Sequence, residues 1–405
     1  MNEGDRTVLV GVTGGIAVYK AVELVRLLVK DGFAPVVVTT EAAKRFVMPL
    51  TFAAISGSPI LGEESAWRAD GGWFQHIEAA RRARVLVVAP ATANTLAKMV
   101  AGIADNLLTA VYLAFRGPVI VAPTANWAMY EHPATQENLR LLAQRGVEVL
   151  PTGTGALACG ETGSGRMAEP DEIIAAVKRA FAAGAAGPLA GRKVVVTAGG
   201  TREPLDAVRF IGNRSSGKMG RAVADDAYLR GADVVLIDAA RMRPHTPYRR
   251  VAIETSNEMA AAVAAETADA DVLVMAAAVA DFKPARAQVD EKIGRAGREQ
   301  LTVELVPTVD ILASSARAGL LRVGFAAEAG PRLERARAKK TAKGVDLLVF
   351  NDILAAGVGI GSDENEITIL APSEEIRIER SPKAECARAI LDQVELLLAG
   401  RGGTA

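Results

Sequence analysis

Cys159 lies in P-T-G-T-G-A-L-A-C-G-E-T-G-S-G-R-M, a stretch crowded with glycines and small residues. The stretch lacks the apolar periodicity of a packed helix and reads as a mobile flap. A thiol there can donate a proton or attack an electrophilic carbon, or it is simply a loop residue. Arg166, close by in sequence, is suited to an anion. Asn126, in V-I-V-A-P-T-A-N-W-A-M, follows an apolar run. Its amide can hold a substrate carboxylate without adding a competing negative charge, or it can satisfy loop backbone groups. His76, in D-G-G-W-F-Q-H-I-E-A-A, has the side chain best suited to proton transfer near neutrality; a surface or helix-capping histidine is the alternative.

Three polar turns accompany these residues. In G-V-T-G-G-I-A, Gly14 and Gly15 let backbone amides approach a phosphate, and the helix that follows adds donors at its start. The other reading is a tight packing turn. Thr39 or Thr40 caps the next helix or binds phosphate. Thr92 and Asn94, in A-P-A-T-A-N-T-L, read a ring edge or cap a helix. Together the turns point to a phosphorylated, planar cofactor. In the second half, Ser215, Ser216, Gly217 and Lys218 precede a helix and offer a phosphate site without forming the G-x-x-x-x-G-K-[ST] loop. Asp281 follows a small-residue run and can bind a metal or a sugar hydroxyl, or cap local backbone. Lys292, in a loop of mixed charge, is either a solvated residue or a lid cation over a triphosphate. Lys339 and Lys343, at i and i+4, share a helical face suited to phosphate or to solubility. Asn351 and Asp352 end another apolar strand.

The elements that must position these residues read as alternating strands and helices. Thr7–Val12, Pro35–Thr39, Val85–Ala89, Val119–Ala122 and Glu148–Leu150 are short apolar runs separated by helical stretches. Val194–Thr197, Val234–Ile237, Val272–Met275 and Leu347–Phe350 repeat the plan. Continuous apolar strands of this kind form mostly parallel sheets covered on both faces, and such sheets bind ligands beyond their carboxyl ends. The expected fold class is α/β with two doubly wound, Rossmann-like domains. The linker is Ala182–Gly191, rich in alanine and glycine, and the expected domains are 1–187 and 188–405.

Composition agrees with that plan. A chain of 405 residues exceeds the usual size of one core, and half of its residues are hydrophobic, which excludes a mainly disordered chain. Forty-seven basic residues balance forty-seven acidic ones, so no global field points to nucleic acid or a membrane. Two cysteines cannot build a disulfide framework or a four-cysteine metal site, and His76, His132 and His245 leave little for a zinc centre. The first residues lack the basic start and cleavage site of a signal peptide, and no apolar run reaches membrane-spanning length. A cytoplasmic protein is expected.

In order along the first half, G-V-T-G-G-I-A-V-Y-K, the His76 segment, P-A-T-A-N-T-L-A-K-M-V-A-G-I-A-D-N-L-L, the Asn126 loop and A-C-G-E-T-G-S-G-R-M resemble the flavin-dependent phosphopantothenoylcysteine decarboxylases. The resemblance implies an FMN site drawing on Gly14, Gly15, Ile16, Ala17, Thr39, Thr92 and Asn94. It implies that His76 assists proton transfer, Asn126 places the substrate carboxylate and Cys159 protonates the product of decarboxylation. The family's P-x-M-N loop is here Pro123-Thr124-Ala125-Asn126. The second half, through T-A-G-G-T-R-E-P-L-D-A-V-R-F-I-G-N-R-S-S-G-K-M-G, A-A-A-V-A-D-F, E-K-I-G-R and V-G-F-A-A-E, resembles bacterial CTP-using phosphopantothenate–cysteine ligases. That implies Asn213 on the acyl-cytidylate, Lys292 in catalysis, and Asp281, Phe325, Lys339 and Lys343 on CTP. Magnesium is expected with the triphosphate, its ligands unassigned. The family's K-I-K-K lid is here Lys292-Ile293-Gly294-Arg295, and its K-N-P-D is Pro307-Thr308-Val309-Asp310.

The two resemblances imply consecutive reactions. 4′-Phosphopantothenate and L-cysteine are joined at the expense of CTP, and the product is then decarboxylated to 4′-phosphopantetheine. They also imply a homo-oligomer of decarboxylase trimers and ligase dimers, assembled as a dodecamer. Two other classes compete. A nicotinamide dehydrogenase is disfavoured by the missing G-x-G-x-x-G. A non-enzymatic flavin-binding regulatory protein is disfavoured by the retention of His76, Asn126, Cys159, Asn213 and Lys292.

Overall fold

The computed structural model describes residues 6–66, 75–156, 160–183, 187–240, 245–286, 290–294, 299–330, 332–354, 357–358 and 361–402. The chain divides into two compact units, Met1–Gly184 and Ala185–Ala405.

The first unit is built on a five-stranded parallel sheet of β1 (Thr7–Val12), β2 (Ala34–Thr39), β3 (Val85–Thr92), β4 (Val119–Thr124) and β5 (Glu148–Val149), in the order β2-β1-β3-β4-β5. Val8, Leu9, Val10 and Val12 of β1 are fully buried, as a strand covered by helices on both faces requires. The strand order reverses between β1 and β3, so the crevice beyond their carboxyl ends is the place where this architecture binds ligands. The helix Val18–Lys30 leaves β1 after a turn at 13–17 and buries Val18, Ala21, Leu24, Val25 and Leu28. The helix Pro170–Ala182 packs against it. Lys178 of that helix is almost wholly buried and bonds Asp31 at 2.7 Å. After β5 comes a hairpin, β6 (Gly153–Ala156) and β7 (Thr162–Arg166), paired antiparallel.

The second unit opens with β8 (Lys193–Ala198), a small hairpin of β9 (Arg202–Pro204) and β10 (Phe210–Gly212), then β11 (Asp233–Asp238) and β12 (Arg249–Ala252). It continues through β13 (Val272–Met275), a second small hairpin of β14 (Phe282–Pro284) and β15 (Leu305–Pro307), then β16 (Leu321–Glu328), β17 (Leu347–Asp352), β18 (Glu364–Leu370) and β19 (Glu375–Pro382). The main sheet runs β12-β11-β8-β13-β16-β17-β18-β19. It is parallel as far as β17, and β18 and β19 are antiparallel additions at one edge. The outermost strand carries Arg377 and Arg380, paired to Glu366 and Glu364 of β18 at 2.7 and 2.5 Å. The final helix, Lys383–Gly402, buries Cys386, Ala387, Ile390, Leu391 and Val394 against the same core as β8 and β11.

The sequence places most of these strands within one to three residues of their observed bounds. Two differences matter. β16 lies inside the sheet although Arg322, Gly324, Ala326 and Ala327 take the place of branched apolar residues, and the second sheet is mixed because β18 and β19 reverse direction.

Candidate active sites

The first unit holds a cavity of about 950 Å³ at the rim where β1, β3 and β4 end. Thr13 opens its floor. The Thr13 hydroxyl donates to the Pro90 carbonyl at 2.7 Å, and the Thr92 amide donates back to Thr13 Oγ1 at 3.2 Å. These bonds staple the turn after β1 to the end of β3. Gly14, Gly15, Ile16 and Ala17 all line the cavity. The helix Val18–Lys30 starts here, and its Val18 and Lys20 amides donate to the Gly15 and Ala17 carbonyls of the same turn, each at 3.0 Å.

Thr92 caps the helix Ala93–Ala101, accepting from the Thr95 amide at 3.4 Å, which is the capping role left open by the sequence, and it also lines the cavity beside Asn94. Thr39 is buried at the end of β2 with its hydroxyl on the Leu61 carbonyl at 3.5 Å and does not line the cavity. Its neighbour Thr40 does, while capping Glu41–Lys44 through the Ala43 amide. Two cations that sequence reasoning missed reach this cavity. Lys20 donates to Glu169 at 2.7 Å and to the Met167 carbonyl at 3.2 Å, and Lys98 donates to Asp105 at 2.7 Å. The Lys98 ammonium holds the Asp105 carboxyl below its usual range. Lys98 lies one turn beyond Asn94 on the same helix, a spacing readable in the sequence.

Asn126 stands at the cavity mouth as the N-cap of Trp127–Glu131. Its Oδ1 accepts from the Ala128 amide at 2.9 Å, which leaves Nδ2 to donate elsewhere. Nδ2 donates to a carboxylate, that of Glu161 at 2.9 Å. β7 is bound to the Asn126 loop through the Gly165 carbonyl, which accepts from the Ala125 amide at 3.1 Å and from the Thr124 hydroxyl at 3.3 Å. Arg166, at the end of β7, lines the cavity. Cys159 lies outside the described residues. His76 is in the helix Gln75–Arg82, which packs on Leu107–Ala114, and is not part of the cavity wall of its own chain. His132 caps Pro133–Gln144 through Nδ1, accepting from the Ala134 amide at 3.2 Å.

The second unit holds a cavity of about 730 Å³ beyond the ends of β8, β13 and β16, again where the strand order reverses. Gly217 starts the helix Lys218–Leu229 with φ of 71°, and a Cβ there would meet that of Ala240 at 2.5 Å, so both conformation and space demand glycine. Asn213, Ser215, Ser216 and Lys218 line the wall beside it. Asn213 Nδ2 donates to the Val279 carbonyl at 2.8 Å, joining that turn to the loop after β13. Asp281 is exposed on the rim. The Phe325 ring is partly buried in the wall, and the Phe325 carbonyl accepts from Lys339 Nζ at 3.0 Å. Lys343 is ion-paired with Asp310, the N-cap of Ile311–Ser314.

Two further lysines complete this wall. Lys218 pairs with Asp363 at 2.8 Å and donates to the Gly361 carbonyl at 2.6 Å. Lys383 donates to the Ser362 and Glu364 carbonyls at 2.6 and 2.8 Å. Burial pushes the Lys383 ammonium below its ordinary pKa, and the neighbouring charge of Lys218 pushes the same way. Four ammonium groups on one cavity suit a polyphosphate. Only folding brings Lys383 there, from the start of the last helix, and no local sequence signal announces it. Asn351 also lines the wall, whereas Asp352 is taken up by the Gly330 and Leu354 amides at 2.8 and 2.9 Å. Lys292 is exposed and is not in the wall. Its segment is held instead to the turn between β9 and β10, where the Ile293 amide donates to Asp206 at 3.1 Å and Arg209 donates to the Ile293 carbonyl at 3.2 Å. Among the described residues there is no group of three or more ligating side chains that would cage a metal ion.

Comparison with known proteins follows the same division. Residues 1–182 match the Flavoprotein family, and residues 189–397 match the DNA/pantothenate metabolism flavoprotein C-terminal domain family. The coenzyme A biosynthesis bifunctional protein CoaBC of Vibrio vulnificus strain YJ016 is 39% identical over 400 residues, covering 97% of this chain and 98% of that protein. The protein of the same name from Mycobacterium bovis is 43% identical over 412 residues, covering 98% and 97%. Among solved structures, the C-terminal domain of a CoaBC is 34% identical, covering 53% of this chain and 99% of that one, with a TM-score of 0.45. The chain belongs to the family of coenzyme A biosynthesis bifunctional proteins, a flavoprotein domain followed by a pantothenate-metabolism domain.

Proposed function

We propose that the chain is a bifunctional enzyme whose second domain, 188–405, joins 4′-phosphopantothenate to L-cysteine with CTP, and whose first domain, 1–187, decarboxylates the product to 4′-phosphopantetheine with FMN. The observation that supports this reading is the division of chemistry between the cavities. One combines a glycine turn at a helix start with an amide that grips a carboxylate. The other gathers four lysines beside Asn213.

In the ligase site, Lys218, Lys339, Lys343 and Lys383 neutralise the triphosphate and stabilise charge that grows on the alpha phosphorus as the pantothenate carboxylate attacks. Asn213 holds the acyl-cytidylate in reach of the cysteine amine, a positioning role. Magnesium usually binds through phosphate oxygens, waters and one or two carboxylates rather than an all-protein cage. The wall fits that habit, since it carries two exposed carboxylates, Asp281 and the Lys343-paired Asp310. Lys292 acts in catalysis once brought over the triphosphate.

In the decarboxylase site, the amides of Gly14 to Ala17 receive the FMN phosphate, and Thr92 and Asn94 meet the remainder of the cofactor. The cavity volume and the paired turns fit a flavin mononucleotide. Bound FMN supplies a reversible two-electron oxidation of the substrate thiol, which makes loss of carbon dioxide easy. Asn126 places the leaving carboxylate, His76 moves a proton during the oxidation, and Cys159 returns one afterwards. His76 and Lys292 both stand away from the cavities of their own chain, which favours a homo-oligomer in which neighbouring copies complete the sites. We infer trimers through the first domain, dimers through the second and a dodecamer overall, located in the cytoplasm. No helix among the described residues is long and apolar enough to cross a membrane.

The test is carbon dioxide release by the purified protein from 4′-phosphopantothenate, CTP and cysteine. Release should need all three and the bound flavin. Lys292→Gln should abolish ligation while leaving decarboxylation of supplied phosphopantothenoylcysteine intact. Release without CTP, or full ligation by Lys292→Gln, would refute the assignment.

A further inference from the structure

The amide assigned to the substrate carboxylate already holds one. Asn126 Nδ2 donates to Glu161 Oε2 at 2.9 Å, and the indole Nε1 of Trp127 donates to the same oxygen at 2.8 Å. Two N–H groups converging on one carboxylate oxygen is the arrangement by which proteins bind carboxylate ligands. Glu161 belongs to the segment between β6 and β7. The strand after it is pinned to the Asn126 loop by the Gly165 carbonyl and by a bond from Ser164 to Glu131 at 2.9 Å. The Glu161 side chain is exposed, so it can leave the Asn126 and Trp127 donors for water while that strand stays in place.

A substrate carboxylate competes with Glu161 for these donors, because the Trp127 indole has a single N–H to give. Asn126 has already committed its oxygen to the Ala128 amide, and two carboxylates at hydrogen-bonding distance of one amide repel each other. We propose that Glu161 is a displaceable internal carboxylate. It fills the substrate-carboxylate position before phosphopantothenoylcysteine binds, is expelled by that binding, and returns when the substrate carboxylate departs as carbon dioxide. This rests on the reading of Asn126 given above and adds to it a positioning residue that competes with the substrate. The product has no carboxylate and binds with Glu161 in place. Glu161 therefore weakens substrate binding, by the fraction of molecules whose donors are vacant, and leaves product binding untouched.

The experiment uses the flavin-loaded protein and compares Glu161→Gln and Glu161→Ala with the unaltered chain. KM and kcat are measured for 4′-phosphopantothenoylcysteine, and 4′-phosphopantetheine is titrated as a competitive inhibitor. Both variants should lower KM by about three- to tenfold, the range expected when an exposed charge-assisted contact is removed from the competition, with an unchanged inhibition constant for the product. A KM that is unchanged or raised overturns the proposal. So does a parallel change in KM and the inhibition constant, because that reports an altered pocket rather than a lost competitor. Asn126→Ala is assayed alongside. A normal KM in that variant sinks the reading of Asn126 itself, whereas a damaged Asn126→Ala with unaffected Glu161 variants sinks only the displacement.

Discussion

Gly14 and Gly15 are neighbours in one turn with different room around them. A Cβ on Gly14 would fall 2.4 Å from that of Ala42 and 2.7 Å from the Ala42 carbonyl carbon, while on Gly15 the nearest atom would be Thr92 Cγ2 at 3.8 Å. Neither glycine has a left-handed φ, so alanine is conformationally acceptable at both and space alone separates the two substitutions. Carbon atoms settle at about 3.5–4.0 Å, so Gly14→Ala must push the turn and the Ala42 segment apart by roughly 1 Å. Over-packing of that kind costs about 1–3 kcal/mol. In a unit of this size each kcal/mol lowers Tm by roughly 2–4 °C, so the flavin-free Gly14→Ala protein should melt roughly 2–12 °C early. Gly15→Ala should melt normally without flavin and hold flavin less tightly, because its methyl enters the cavity where the phosphate approaches the backbone. Circular dichroism melts of stripped protein and flavin fluorescence titrations separate the two effects. A Gly14→Ala protein with an unchanged melt would refute the packing argument. A Gly15→Ala protein with unchanged flavin affinity would refute the placement of the phosphate at this turn.

Lys178→Met should destabilise the first unit by about 3–5 kcal/mol in urea titration, because it removes the buried ammonium that bonds the largely buried Asp31 carboxylate at 2.7 Å; a loss below about 1 kcal/mol would refute the importance of that pair. Lys339→Met and Lys343→Met should each raise KM for CTP about tenfold or more in a diphosphate-release assay and leave carbon dioxide release from supplied phosphopantothenoylcysteine unchanged. Burial pushes the Cys386 thiol up to about 11, so at pH 8 only about one molecule in a thousand carries the thiolate. Peptide mapping after iodoacetamide should find Cys386 unmodified in the native protein at pH 8, with labelling rising as the pH climbs toward that value, and rapid labelling at pH 8 would contradict its burial.

The parallel strands were legible because both faces are covered, which makes runs such as Val8–Val12 and Val272–Met275 continuously apolar. β16 escaped because Gly324, Ala326 and Ala327 replace branched residues in its centre, a composition that close packing allows and propensity does not favour. β18 and β19 interleave apolar with polar or charged residues, the pattern of an edge with one solvated face, and so carry no long apolar run. Cavity-lining residues at or just past strand ends, such as Thr92, Asn126 and Asn351, were legible because this architecture opens its crevices there. Lys20 and Lys383 were not, since helix geometry and tertiary folding carry them to the cavities. Lys292 and His76 were legible as residue types and not as locations, and neither lines the cavity wall of its own chain.

The charged outer strand β19 bears on self-association. An unpaired strand edge is a template for another chain, and the edge beneath β18 and β19 is the apolar β17, whose residues Leu347 to Phe350 are buried. The alternating Glu, Arg and Ile side chains of β19, with Pro382 at its end, present a poor surface for such growth. Removing these two strands would take Asn365 from the wall of the second cavity and the Glu364 carbonyl from Lys383, and would uncover the apolar β17, so the expected failure of such a truncation is precipitation together with lost ligation.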